Sequence, residues 1–258
     1  LARGYKDKVI NKTFSPSVNK KLVKLQSFFR EDVDDCNNKD AFMLNKPLLI
    51  KIPNGGCLPY YDDKVKHFLL RNLSANKHID VSKIITPRQM RSNCWFNTMF
   101  VSFFISDLGR KFFHFFRHMM IEGVQENGTK IPKKLADAFS LLNYAIEVCL
   151  TGNKYAYSLN TNSIVKQIYK EIPDNYYGRI YNVNEPGNGI HYYLSIINYL
   201  NNNSLRVSVI KNCDKLWKKQ TTSEVENKLQ NSGVLPHVII LEFHDEASKT
   251  TRNRETSF

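Results

Sequence analysis

Apolar residues recur with helical spacing from Asn11 to Phe29 (Val18, Leu22, Leu25, Phe28, Phe29), and an acidic turn from Glu31 to Asp35 ends the run. Leu48 to Ile52 reads as a short strand that stops at Pro53-Asn54-Gly55-Gly56, a strong turn signal. Asp62 to Leu73 is again helical in rhythm. Asn93 to Ser106 and Gly109 to Ile121 are two helical segments with little polar interruption. Pro132 to Leu150 has Pro at its start and Gly152 just past its end, the asymmetry of a capped helix. Asn160 to Glu171 follows, with Pro173 as its stop, and Asn188 to Leu200 starts after Pro186-Gly187. The tail turns to strands. Leu205 to Lys211 alternates with a period of two, a polar helix covers Ser223 to Leu229, and Gly233 to Phe243 carries a β-branched run expected to be a buried central strand.

A helical front and a strand-rich back predict an α+β domain. Residues 1–85 read as an N-terminal extension and residues 86–258 as the main domain, with no internal repeat. The start, Leu1-Ala2-Arg3, lacks an initiator Met and the pattern of a signal peptide, so the chain reads as a processed or partial product.

Charge narrows the partners. The chain carries 37 basic against 24 acidic residues, a formal +13, which favours nucleic acid, anionic membrane or an acidic protein face. The cations are dispersed in pairs such as Lys20-Lys21, Lys133-Lys134 and Lys218-Lys219 rather than gathered in one run. No stretch approaches the roughly 20 apolar residues that span a bilayer. The five cysteines (Cys36, Cys57, Cys94, Cys149, Cys213) are odd in number, widely spaced and without a CxxC pair. This argues against a disulfide framework and a zinc site, and predicts reduced thiols in a reducing compartment, not a secreted protein.

The chemistry concentrates in Ile85-Thr-Pro-Arg-Gln89-Met-Arg-Ser-Asn93-Cys94-Trp95-Phe96-Asn97-Thr98. Asn93 is a good N-cap, which puts Cys94 in the first helical turn, where free backbone N–H groups and the helix dipole favour a thiolate. Arg88 and Arg91 push the same way. The apolar residues that follow bury the helix and hold the thiol in place. Gln89, five positions earlier, supplies an amide able to donate to an oxyanion beside the Cys94 N–H. The competing reading is one more cysteine in an aromatic helix.

Cys94-Trp95-Phe96-Asn97-Thr98 resembles the nucleophile box of papain-like cysteine peptidases, closest to that of ubiquitin-specific proteases, with Gln89 at the offset of their oxyanion amide. Gly189-Ile-His-Tyr-Tyr-Leu-Ser-Ile-Ile-Asn-Tyr-Leu200 and Val234-Leu-Pro-His-Val-Ile-Ile-Leu241 resemble two further segments of that family in the same order. The resemblance covers roughly residues 85–243. It implies a papain-like fold with the nucleophile helix in a helical lobe and a strand-rich C-terminal lobe. The composition also looks like that of divergent peptidases of large DNA viruses, which implies a location in the virion or host cytoplasm.

A cysteine protease needs a histidine, and the Gly-His-Tyr context of the family is not found before Phe258. Three explanations stay open: the histidine lies beyond Phe258, it has been lost, or it is one of those present. His237, at a strand start with Asn253 further along, is then the best base; His244-Asp245 reads better as a polar turn. His191 reads as a core or groove residue. His114 and His118 share a helix face without the Glu of HExxH, so no metal ligand set is assigned.

The resemblance implies a cysteine-type (iso)peptidase without cofactor, acting on ubiquitin or ubiquitin-like conjugates. The alternative is a catalytically inactive protease fold serving as a structural virion component, touching virion proteins or packaged nucleic acid. A third reading, a nucleic-acid-binding module, has basic charge and aromatic residues in its favour but no motif.

Overall fold

In a computed structural model, residues 33–36, 48–75, 79–153, 156–172, 180–202 and 206–243 are described. The helix expected at Asn11–Phe29, the stop at Pro173, His244 and Asn253 lie outside them. The chain divides into two compact units, one spanning Ser15–Ser204 and one whose described part is 206–243. The division expected at residue 85 falls within the first. The fold class is α+β.

The first unit opens with three short antiparallel strands, β1 (Asp34–Asp35), β2 (Leu49–Ile52) and β3 (Gly56–Pro59), with β2 in the centre. The turn at Pro53-Asn54-Gly55-Gly56 forms as expected, with Asn54 and Gly56 both at positive φ. The expectation of reduced thiols is corrected here. Cys36 and Cys57 form a disulfide. The sheet brings their Cα atoms to 5.8 Å, within bonding range, and no sequence spacing announces a pair that only strand register creates.

Helices supply the rest of this unit. α1 (Asp63–Ser74) starts where Asp62 accepts the Lys64 N–H and lays Val65, Phe68, Leu69 and Leu73 into the core. α2 (Cys94–Phe100) runs into a π-helical turn at Val101–Ile105, then α3 (Asp107–Phe112) and α4 (His114–Glu122). The two long helices expected here are thus broken twice. Ser106 ends the π turn and caps α3 through its hydroxyl, which accepts the Gly109 N–H. Gly109 is required by close approach, since a Cβ there would lie 1.9 Å from the Ser102 carbonyl oxygen.

α5 (Lys133–Thr151) is the central post, with every residue from Ala138 to Leu150 buried. Neighbours cover this stretch on all sides, so it is mostly apolar, with Ser140, Asn143 and Glu147 as its buried polar groups. α1, α4 and α6 (Asn162–Glu171) pack near it in chain, α4 and α6 directly against it. α7 (Gly189–Tyr199) begins where Asn188 accepts the Ile190 and His191 N–H groups, and packs against α2. Between α2, the π turn, α4 and α7 lies an aromatic core of Trp95, Phe96, Phe104, Phe113, Phe116, Tyr192 and Tyr193. Each fully buried ring of this kind contributes on the order of 2 kcal/mol.

Charge is buried beside it. Arg117 and Glu147 are 1% and 0% exposed and form an ion pair joining α4 to α5. The guanidinium also donates to Asn143 Oδ1 at 3.1 and 2.9 Å, and Asn72 Nδ2 donates to Glu147 at 3.3 Å, tying in α1.

The second unit is a β–α–β element. β4 (Val207–Cys213) and β5 (Val238–Phe243) pair in parallel, joined through α8 (Trp217–Ser232). The strand expected to be buried and central is corrected: Val238 to Leu241 are half-buried in a two-stranded sheet. The polar helix expected at Ser223–Leu229 is longer than its sequence signal, running from Trp217 to Ser232, and Leu216 precedes it without a side-chain cap.

Candidate active site

The loop before Cys94 is held by backbone bonds. Ile85 N–H donates to the Cys149 carbonyl at 3.1 Å and Arg88 N–H to the Tyr157 carbonyl at 3.2 Å. Arg91 turns the chain with φ of 57°, a left-handed conformation unusual for a non-glycine residue. Asn93 follows, fully buried.

Asn93 occupies the position before the helix, but its side chain makes no capping bond. Instead its amide donates to Thr161 Oγ1 at 3.0 Å and Asn162 Oδ1 at 2.7 Å, while its oxygen accepts the Met90 N–H at 3.2 Å. The Thr161 hydroxyl in turn donates to Asn97 Oδ1 at 3.1 Å. This polar knot ties the loop, α2 and the start of α6 together. It corrects the expectation of an Asn93 side-chain cap: the Nδ2 group is turned to acceptors at the start of α6, and the oxygen that would accept a helical N–H accepts the Met90 N–H instead.

Cys94 is the first residue of α2 and is exposed, the one exposed free cysteine among the described residues. Its neighbours fix it. Trp95, Phe96, Met99 and Phe100 are buried. Trp95 packs on Tyr192 and Tyr181 at centroid distances of 4.8 and 5.4 Å, and its Nε1–H donates to the Glu185 carbonyl at 3.2 Å. Thr98 Oγ1 donates back to the Cys94 carbonyl at 2.9 Å. Gly187 and Gly189 let α7 lie flush on this helix: a Cβ would come within 2.7 Å of the Trp95 ring at Gly187 and of Met99 Cβ at Gly189.

The other predicted residues fall as follows. Gln89 is exposed in the same loop as Cys94, and its Nε2 donates to the Arg91 carbonyl at 3.3 Å. His237 belongs to the second unit. There its backbone N–H donates to the Arg206 carbonyl at 2.8 Å, and its Nδ1 accepts the Arg206 N–H at 3.0 Å. An acceptor Nδ1 places the ring proton of the neutral imidazole on Nε2. His191 is half-buried in the first turn of α7.

Arg88 and Arg91 are both exposed, and neither is in an ion pair among the described residues. Within three and six residues of Cys94, both lie close enough along the chain to bias its surroundings towards positive potential. The other free cysteines are built differently. Burial pushes the Cys149 thiol up to about 12, which suppresses the thiolate, and Cys213 is buried with its thiol donating to the Ile210 carbonyl at 3.2 Å. Among the described residues no group of three or more His, Cys, Asp or Glu side chains is placed to hold a metal ion.

Sequence reasoning missed the Asn93–Thr161–Asn162–Asn97 knot. Its signal was the pairing of Asn and Thr at helix starts, hidden in a chain rich in Asn throughout. No helix is long and apolar enough to cross a membrane among the described residues. No family model matches the chain, and no curated protein and no solved structure shows significant similarity to it.

Proposed function

We propose that this chain is a cysteine-type (iso)peptidase of papain-like architecture that acts on ubiquitin or ubiquitin-like conjugates through Cys94. The observation that carries the reading is the contrast along α2: an exposed thiol at its first residue, followed by side chains anchored in an aromatic core. A nucleophile needs that combination of access and fixed position.

In this mechanism the Cys94 thiolate attacks the carbonyl carbon of a terminal glycine, the C–N bond to the leaving amine breaks to give a thioester, and water hydrolyses that thioester to restore the thiol. The Cys94 N–H and the Gln89 amide hold the oxyanion that forms. Gln89 would exchange its bond to Arg91 for the oxyanion, a rearrangement on the order of 1 kcal/mol. An imidazole removes the thiol proton and returns it to the leaving amine, and His237 is the candidate for that role. To take the thiol proton on Nε2 the ring must first give up the Arg206 N–H at Nδ1 and carry its own proton there instead.

The test is labelling of the full chain with ubiquitin or ubiquitin-like proteins bearing a C-terminal electrophile. The expected result is one covalent adduct on Cys94, lost in Cys94→Ala. Absence of labelling by every such probe would overturn the reading.

A second reading is an inactive protease fold serving as a structural component of a virion. It is favoured by Gln89 donating to Arg91 and by the engaged Nδ1 of His237. Iodoacetamide rates against pH separate the two. A structural Cys94 reacts slowly below pH 8, as an ordinary thiol does, whereas a nucleophile keeps reacting well below that pH.

A further inference from the structure

Between the end of β4 and the first turn of α8 the surface changes character. Every residue from Asp214 to Lys219 is exposed, as are Lys211 and Asn212, and α8 has no buried residue at all. Lys211, Lys215, Lys218 and Lys219 fall within this stretch, and none is paired with a carboxylate among the described residues. Asp214 is its lone acid, and Asp214 Oδ1 accepts the Leu216 N–H at 2.7 Å, closing a local turn.

The charge of the unit is segregated. Among the described residues Arg206, Lys211, Lys215, Lys218 and Lys219 precede residue 224 with one acid, Asp214, whereas Glu224, Glu226 and Glu242 come at or after it with one lysine, Lys228, which pairs with Glu224. Two apolar side chains stand among the lysines: Leu216 is 61% exposed and Trp217 38%. Lys218 Nζ lies 5.5 Å from the centre of the Trp217 ring.

We propose that residues 211–219 form a binding strip for single-stranded nucleic acid. Uncompensated ammonium groups along an extended surface meet a phosphate chain, and an indole open to solvent accepts a base on its face. The ammonium of Lys218 beside that ring puts a phosphate partner one nucleotide away from the stacked base. Because the strip reads backbone and stacking, it binds without strong sequence preference. An anionic lipid surface offers the same charge but asks for a continuous apolar helix face, and α8 is polar all round apart from Trp217, Val225 and Leu229. This site lies in the second unit and is independent of any chemistry at Cys94.

The experiment is fluorescence anisotropy of a labelled oligo(dT) titrated with the full chain at 50 to 300 mM salt. Four phosphate contacts give a slope of log affinity against log salt of about −3. The variant Lys215→Gln/Lys218→Gln/Lys219→Gln should bind more than tenfold more weakly at 100 mM salt and flatten the slope to about −1. Trp217→Ala should weaken binding about tenfold and leave the slope unchanged. Cys94→Ala should bind as the unaltered chain does. All substituted side chains are exposed, and circular dichroism verifies the fold of each variant. Absence of binding at 50 mM salt overturns the proposal. So does unchanged binding by the triple variant, which would place the contact on other basic surface. Sedimentation with phosphatidylserine vesicles in the absence of oligonucleotide binding also overturns it, in favour of lipid.

Discussion

Replacing Glu147 by Ala tests whether the buried charges join the helices of the first unit. Glu147 is fully buried and accepts from Arg117 and from Asn72. Its loss takes the carboxylate away from a buried guanidinium that still donates to Asn143 Oδ1, and removes one acceptor of the Asn72 amide. Removing one partner of such a pair costs about 3–5 kcal/mol, because the surviving charge stays desolvated. A domain has only about 5–15 kcal/mol in total, so Glu147→Ala should lower the melting temperature by about 10 °C. The double replacement Arg117→Met/Glu147→Leu removes both charges and keeps the volume, and should lie within about 1 kcal/mol of the unaltered chain. Urea unfolding followed by tryptophan fluorescence in a Trp217→Phe background reads Trp95, and hence this unit alone. A loss below about 1 kcal/mol for Glu147→Ala, or a double variant as unstable as the two single losses added, would refute the reasoning.

Other outcomes follow from single features. Burial, with the charges of Arg117 and His118, pushes His114 down to about 4 from 6.5. The folded ring resists protonation, so its stabilising contribution is complete above pH 6.5 and is lost as pH falls through 4; His114→Phe should flatten that part of a profile of urea-unfolding free energy against pH by about 3 kcal/mol. A thiol reagent under native, non-reducing conditions should modify Cys94 rapidly and leave Cys149 and Cys213 untouched, read by intact mass. Reduction should add Cys36 and Cys57 to the reactive set and lower stability by about 3 kcal/mol, the chain-entropy value for their separation of 21 residues. Gly187→Ala would push a methyl into the Trp95 ring and should slow Cys94 modification several-fold while thermal stability falls by about 1–3 kcal/mol.

Much of the helical frame was legible because its ends carry local signals. Asp62 and Asn188 cap α1 and α7, and Gly152, at φ of 69°, closes α5 where the Pro–Gly asymmetry put it. Features set by distant contacts were not legible. The break at Phe113 and the turn at Val101–Ile105 sit inside apolar runs with no punctuating residue. Arg117 lies in such a run too, and only the fold brings Glu147 and Asn143 to it. Asn93 shows the difference most clearly. Its type suits a helix cap, yet Thr161 and Asn162, far along the chain, orient its Nδ2 group, and its oxygen accepts the Met90 N–H rather than a helical one. For the site, the sequence located the exposed cysteine and its loop, whereas the directions of Gln89 and His237 depend on the Arg91 carbonyl and the Arg206 N–H.

The π turn that follows α2 closes with Ser106 N–H on the Val101 carbonyl at 2.9 Å, so it holds one residue beyond what a regular coil accommodates. That spare residue sets the azimuth of Cys94 about its axis relative to the phenyl rings downstream. Shortening the chain by one position between 101 and 105 would let the coil tighten and swing the sulfur by about 100° with the helix still formed. The aim of the thiol is thus tuned by chain length at a place well removed from the sulfur itself.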